Sequence, residues 1–221
     1  MSMVVHNVDE SLLLDYASGA LNEPMSLAMA THLSLSKKSA SDYDTLNAMG
    51  GAMLEELAPL GAEDDGDFGL AGVLGRLDDE PIRGRPVSFN QVTSDIIPAP
   101  LREYLPGDLS ELKWRSAAPG VEEYDIRTGS NSGKTALLRI EPGRAMPKHT
   151  HSGREITVVL DGAYVDGCET YRRGDLQEAD ETENHQPVAD GEAGCLCLIV
   201  LDASVKLTGR VGRFLNPFIR F

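Results

Sequence analysis

The segment GRAMPKHTHSGREITVVLDG, residues 143–162, carries two of the chain's five histidines, His149 and His151, and follows them with Glu155. Residues two apart on a strand project to the same face, so both imidazoles point one way. Ser152 and Gly153 are small turn residues that let the next strand bring Glu155 back to that face. His185, eleven residues after Gly174, is the only other histidine in this half of the chain. Imidazole nitrogens and a carboxylate converging from different strands form a borderline-hard donor set suited to Zn, Fe, Mn, Ni or Cu. His149, His151, Glu155 and His185 are therefore the candidate metal ligands.

The remaining histidines, His6 and His32, lie near the N-terminus. The stretch THLSLSKKS, 31–39, sets Ser36 four positions after His32 and Ser39 three further on. A serine hydroxyl stays protonated at neutral pH and is a poor zinc ligand, so these four residues read as polar groups of a helix and its leader. Cys195 and Cys197 alternate with Leu196 and Leu198, so on a strand both thiols share a face. On such a strand they can lie inside a barrel near the metal, or be simply two small buried apolar residues. With Cys168 they make three cysteines without a disulfide framework, which points to reduced thiols.

Two kinds of element must position these groups. Asp9 can cap a first helix holding Leu12, Leu13, Tyr16, Ala17 and Leu21, and Gly19 and Pro24 break the chain. A second helix carries Met25, Leu27, Ala28, Leu33 and Leu35; a third runs from about Asp42 through Leu46, Met49, Met53, Leu54 and Leu57. GAEDDGDFG, 61–69, is an acidic, glycine-rich break, and a short fourth helix follows from Phe68 to about Asp79. Residues 81–100, with Pro81, Pro86, Pro98 and Pro100 and little periodicity, read as an extended, mobile linker. Beyond it the texture changes to short β-favouring runs: LKWRSA, VEEYDI, TALLRIEP, EITVVLDG, AYVDG, GDLQEA, CLCLIVLD and RFLNPFIRF. The expected organisation is a helical domain over 1–80, a linker over 81–100 and a β sandwich or small barrel over 101–221. Phe214, Phe218 and Phe221 are expected to pack in the core or between domains.

Of the net charge of −15, the first 80 residues carry 15 acidic residues against Lys37, Lys38 and Arg76, a net of −12; the rest of the chain carries −3. Such a surface repels nucleic acid and either attracts basic protein faces, including those that themselves bind nucleic acid or polymerase, or serves as a solvated face kept for solubility. No run approaches the roughly 18 apolar residues that span a bilayer, and no basic-then-apolar leader opens the chain. A cytoplasmic protein without membrane contact is expected.

The spacing from Gly143 through His149, His151 and Glu155 to Gly162 resembles the first conserved motif of the cupin superfamily at every fixed position. Gly174 and His185 have the separation of the second motif, although Asp180 and Thr182 stand where proline and glycine are usual and Ala189 replaces a final asparagine. The resemblance implies a cupin β-barrel, a double-stranded β-helix of jelly-roll type, with self-association through the barrel left open. Cupins include dioxygenases, isomerases, storage proteins and regulators, so the fold alone assigns no function.

The N-terminal spacing is more specific. His6, then His32, Ser36 and Ser39, resembles the His and His-x3-Cys-x2-Cys zinc motif of zinc-binding anti-sigma domains, with serine at both cysteine positions. A small helical bundle of that kind fused to a C-terminal cupin is similar to the ChrR-type anti-sigma factors, and HLSLS, GGAMLEE, the CLCL pair and the closing NPFIRF extend the likeness along nearly the whole chain. The resemblance implies sequestration of an extracytoplasmic-function sigma factor and its release on singlet oxygen or an organic hydroperoxide. It also implies zinc in the cupin, with Fe, Mn or Ni as substitutes, and a redox role for Cys195 and Cys197. No metal is expected in the N-terminal half, because its thiolates are missing. The competing expectation is a metal-dependent cupin enzyme, such as a dioxygenase, with a helical docking segment.

Overall fold

The computed structural model describes residues 4–58, 69–77, 87–129, 133–202 and 205–207. The start and end expected for the fourth helix, Pro81, Pro86 and the three terminal phenylalanines lie outside the described residues. Helices come first: α1 (Glu10–Ala17), α2 (Glu23–Leu35), α3 (Lys37–Glu55), α4 (Leu70–Gly75), α5 (Gln91–Ile96) and α6 (Ala99–Arg102). Asp9 caps α1 through the Ser11 N–H, and Asn22 caps α2 through the Met25 N–H. The third helix begins five residues before Asp42. Ser36, which ends α2, also caps α3, its hydroxyl accepting from the Ser39 N–H, and the GGAMLEE stretch forms the end of that helix and its C-cap, Glu56.

Ten strands follow among the described residues: β1 (Arg115–Ala118), β2 (Val121–Asp125), β3 (Lys134–Ile140), β4 (His149–His151), β5 (Glu155–Asp166), β6 (Glu169–Arg172), β7 (Leu176–Ala179), β8 (Val188–Ala189), β9 (Cys195–Leu201) and β10 (Val205–Leu207). All pairings are antiparallel. The main sheet runs β1-β2-β3-β9-β5-β6, with β7 and β8 also paired to β5, while β4 pairs β10. The runs EITVVLDG and AYVDG form one strand, β5, bent by a register shift between Val159 and Asp161. Gly162 makes the bend feasible. Its φ is 70°, and a Cβ there would lie 2.2 Å from the Gly194 carbonyl oxygen.

Strand β9 is buried on both faces. Cys195, Cys197, Ile199 and Leu201 line the barrel interior with Val159 and Tyr164, whereas Leu196, Leu198 and Val200 face the helices. On that outer face they meet Leu12, Met25, Met29, Ile97 and Leu101 in a single core that joins the helical half to the barrel.

The stretch expected to be an extended linker accounts for part of that core. Asn90 caps α5 through the Thr93 N–H at 2.8 Å, and Pro98 and Pro100 sit at the start of α6, where a missing N–H is no loss. Ile97 and Leu101 are fully buried, each worth about 1.5–3 kcal/mol of apolar burial. Prolines that suggested an open tether here start a helix packed against α2 and the sheet.

Candidate metal centre and the docked helical half

Both imidazoles of β4 turn into the barrel, and Glu155 joins them from the first position of β5. His185 arrives on a loop whose backbone meets that of β4 at a bridge, in which His149 and His185 exchange two hydrogen bonds of 3.1 Å. All four side chains are buried, and their donor atoms lie within 4.8 Å of one another. The spacing expected of the sequence is thus realised as one constellation able to hold a metal.

The tautomers explain why the cluster calls for a cation. His149 Nδ1 lies 2.8 Å from the Pro147 carbonyl oxygen, which can only accept, so Nδ1 carries the proton. His185 Nδ1 lies 2.6 Å from Asp166 Oδ2 and donates to it. With His185 neutral, both Nε2 atoms present lone pairs to each other across 3.1 Å, and His151 Nε2 stands 2.9 Å from that of His185; although burial opposes it, the Asp166 hydrogen bond and charge raise the His185 pKa, so in the absence of an ion a proton can serve as the positive charge between the rings. Facing lone pairs in a buried site repel unless a positive charge lies between them. The separations approach the roughly 3.3–3.5 Å edge of a tetrahedron built with metal–nitrogen bonds of about 2.0–2.1 Å. His151 Nδ1 has no hydrogen-bond partner although Glu155 Oε2 is 3.3 Å away. The donor set fits a borderline divalent ion held by His149, His151, Glu155 and His185.

The electrostatics agree. Burial, with His149 and His185 nearby, lowers the His151 pKa to about 4, and burial likewise lowers that of His149, which keeps both imidazoles neutral and ready to ligate. Burial raises the Glu155 pKa to about 7, so without a cation its charge is poorly tolerated. Around this set runs a chain that the spacing did not reveal. Gln177 Nε2 donates to Asp166 Oδ2 at 2.8 Å, and the Tyr164 hydroxyl donates to Gln177 Oε1 at 2.7 Å. Cys195 and Cys197 lie inside the barrel, both buried; the hydrogen bond with Cys195, then burial, holds the Cys197 thiol well above the ordinary range.

The N-terminal set is arranged differently. His32 is wholly buried; its Nδ1 donates to the Gly174 carbonyl at 2.8 Å, and its Nε2 accepts from the Ser39 hydroxyl at 2.8 Å. The Ser36 hydroxyl donates to Asn7 Oδ1 at 3.0 Å. His6 does not join them: its ring lies against Tyr171 at 4.3 Å, tilted by 34°, and its Nε2 lies 3.7 Å from Glu169 Oε2. Every side-chain polar atom of His32, Ser36 and Ser39 has a protein partner, and two of the four donors are hydroxyls. This set does not fit a zinc ion. Asn7 completes it, and no periodicity pointed to that residue.

Three successive residues of the β6–β7 turn tie the halves together. Arg173 donates to the carbonyls of Asp95, Ile96 and Leu160; Gly174 receives His32; Asp175 Oδ1 accepts from the Val5 and His6 N–H groups at 2.7 and 3.0 Å. Gly174 has φ 91°, and a Cβ on it would lie 2.7 Å from Val4 and 3.3 Å from Leu35, so glycine lets the helices approach.

These features define a cupin barrel with a metal-capable His3Glu interior and a helical domain packed on its outer face. Residues 105–205 match the family model of the ChrR cupin-like domain. The anti-sigma-E factor ChrR of Cereibacter sphaeroides is 35% identical over 215 residues, covering 97% of this chain and 98% of that one. The crystal structure of Rhodobacter sphaeroides SigE in complex with the anti-sigma ChrR superposes with a TM-score of 0.76 at 36% identity, covering 90% of this chain and 100% of the matched chain. The chain belongs to the ChrR family of anti-sigma factors.

Proposed function

We propose that this protein is an anti-sigma factor that sequesters an extracytoplasmic-function sigma factor and releases it when an oxidative signal reaches the cupin. Kinship along the whole chain to an anti-sigma-E factor carries the reading. The helical half supports it. Tyr43 and Leu46, early in α3, pack on the shared core, but farther along Met49, Met53, Leu54 and Leu57 are exposed, as are Leu70, Val73, Leu74 and Leu77 in and after α4. Large apolar side chains left in water along two helices, within a segment of net charge −12, suit a partner with an apolar groove and a basic rim. Inhibition is then occlusion of the sigma surfaces needed for polymerase or promoter contact.

In this reading His149, His151, Glu155 and His185 hold zinc, which supplies a crosslink among β4, β5 and the 185 loop. Cys195 and Cys197 are reached by a signal only as a small molecule entering the barrel or after the barrel opens, because both thiols are buried. The oxidised state must bind sigma more weakly, since only differential affinity shifts the equilibrium. The test is co-purification from the native host followed by a reconstituted transcription assay, with and without singlet oxygen or an organic hydroperoxide. Retention of a sigma factor, inhibition, and relief on oxidation are expected. Substrate-dependent oxygen consumption by the metal-loaded protein, without sigma retention, would establish the enzyme instead.

A further inference from the structure

Three imidazoles converge in the barrel, and each has a different anchor. His149 is fixed by a backbone carbonyl, that of Pro147, and His151 Nδ1 has no hydrogen-bond partner. Only His185, among the described residues of the site, is anchored by a charged side chain, Asp166, at 2.6 Å. His185 also needs an anchor most. It lies outside the regular strands, on a loop that meets β4 through the His149–His185 bridge and through the Thr150 hydroxyl, which donates to the Glu181 and Glu183 carbonyls, whereas His149 and His151 sit within a paired strand. Asp166 is itself held. It ends β5, its side chain is nine-tenths buried, and the same Oδ2 accepts from Gln177, whose amide is oriented by the Tyr164 hydroxyl. Tyr164 stacks on Tyr171 at 4.9 Å with the rings 16° apart, which leaves the chain little freedom to rotate.

We infer that Asp166, set by Gln177 and Tyr164, is the positioning residue of the metal centre: it fixes His185 as the Nδ1–H tautomer and aims its Nε2 at the ion. The inference rests on the reading of His149, His151, Glu155 and His185 as ligands. Its physical basis is twofold. A charge-assisted N–H···O⁻ bond selects the tautomer and strengthens the ligand's basicity, and a preset ring angle spares the ion the work of ordering a loop. Asp166 touches no metal in this scheme and acts through His185.

The experiment uses the full chain, stripped and reloaded with Co(II), whose visible absorption reports ligand geometry. The wild type, His149→Ala, Asp166→Asn and Asp166→Glu are titrated against a competing chelator, and each metal-free protein is melted. Asp166→Asn keeps size and shape but loses the charge. Its Co(II) affinity is expected to fall about 10–100-fold with altered bands, while its metal-free melting stays near that of the wild type and Asp166→Glu regains part of the affinity. Wild type that takes up no Co(II), or His149→Ala that binds normally, would remove the ligand reading itself. Normal wild-type binding lost in His149→Ala, with Asp166→Asn matching the wild type in affinity and bands, would overturn the positioning role alone. A loss in Asp166→Asn that merely tracks lower stability of the metal-free protein would overturn it too.

Discussion

Replacing His32 with alanine tests whether the helical half is welded to the barrel. The ring is wholly buried and bridges Ser39 in α3 to the Gly174 carbonyl of the β6–β7 turn. Deleting a buried side chain of this size leaves a cavity worth about 2–3 kcal/mol. The Gly174 carbonyl, left without its donor under Leu35 and Val4, adds about 1–3 kcal/mol. For a chain of this length the combined loss of about 3–6 kcal/mol lowers the melting temperature by roughly 6–24 °C. Because the donor set of this knot does not fit a zinc ion, the drop should be the same in chelator. The wild type should also show an acid dependence. Burial holds the His32 pKa below its usual 6.5, so the fold binds the neutral ring. A depressed imidazole contributes fully above the unfolded-state value and loses its contribution as pH falls from about 6.5 through the folded value. His32→Gln, which does not titrate, should flatten that part of the profile. The assay is thermal melting followed by circular dichroism at several pH values, with Ser41→Ala as a surface control. A shift below about 3 °C for His32→Ala would refute the weld, since roughly 1 kcal/mol is what a surface contact yields.

Replacing both His149 and His151 with alanine should reduce metal retained after dialysis to background, measured by elemental analysis. Metal affinity should rise with pH through neutrality, because burial places the Glu155 pKa at about 7 and uptake must expel that proton; calorimetry in buffers of different ionisation enthalpy should show proton release, and a flat profile from pH 6 to 8 would contradict it. Met53→Asp together with Leu57→Asp should weaken sigma binding at least tenfold in a pull-down titration, since buried interface anchors are worth about 1–2 kcal/mol or more each, while leaving melting unchanged within about 0.5 kcal/mol because both side chains are exposed. Chelator should leave the far-ultraviolet signal of the helices intact, as the His32, Ser36 and Ser39 knot is held by hydrogen bonds alone.

Much of the site could be read along the chain because it depends on local periodicity. His149 and His151 share a face because strand side chains alternate, and the fixed glycines mark where the strands turn. The first two helices followed from apolar residues recurring at helical period, and Leu12, Leu13, Met25, Leu27 and Ala28 among them are buried. What misled was punctuation. Pro98 and Pro100 have the same local geometry in an open linker and in the first turn of a helix, and only the burial of Ile97 and Leu101 distinguishes the two. Strands β6, β8 and β10, two to four residues long, were too short to carry a period.

The sequence by itself determined the donor chemistry: three imidazoles and a carboxylate in one half, hydroxyls in place of thiolates in the other, and the acidic imbalance between them. Those properties belong to residue types and to spacings of a few positions, which the backbone's repeat converts directly into faces. The tertiary structure alone decided that His6 leaves the cluster for Tyr171 while Asn7 enters it, that Asp166 and Gln177 stand behind His185, and that Arg173, Gly174 and Asp175 grip segments 77 to 170 residues away. Each is a hydrogen bond or ring contact between distant parts of the chain, and such a partner is chosen by how the shared apolar core brings sheet and helices together, not by any local repeat.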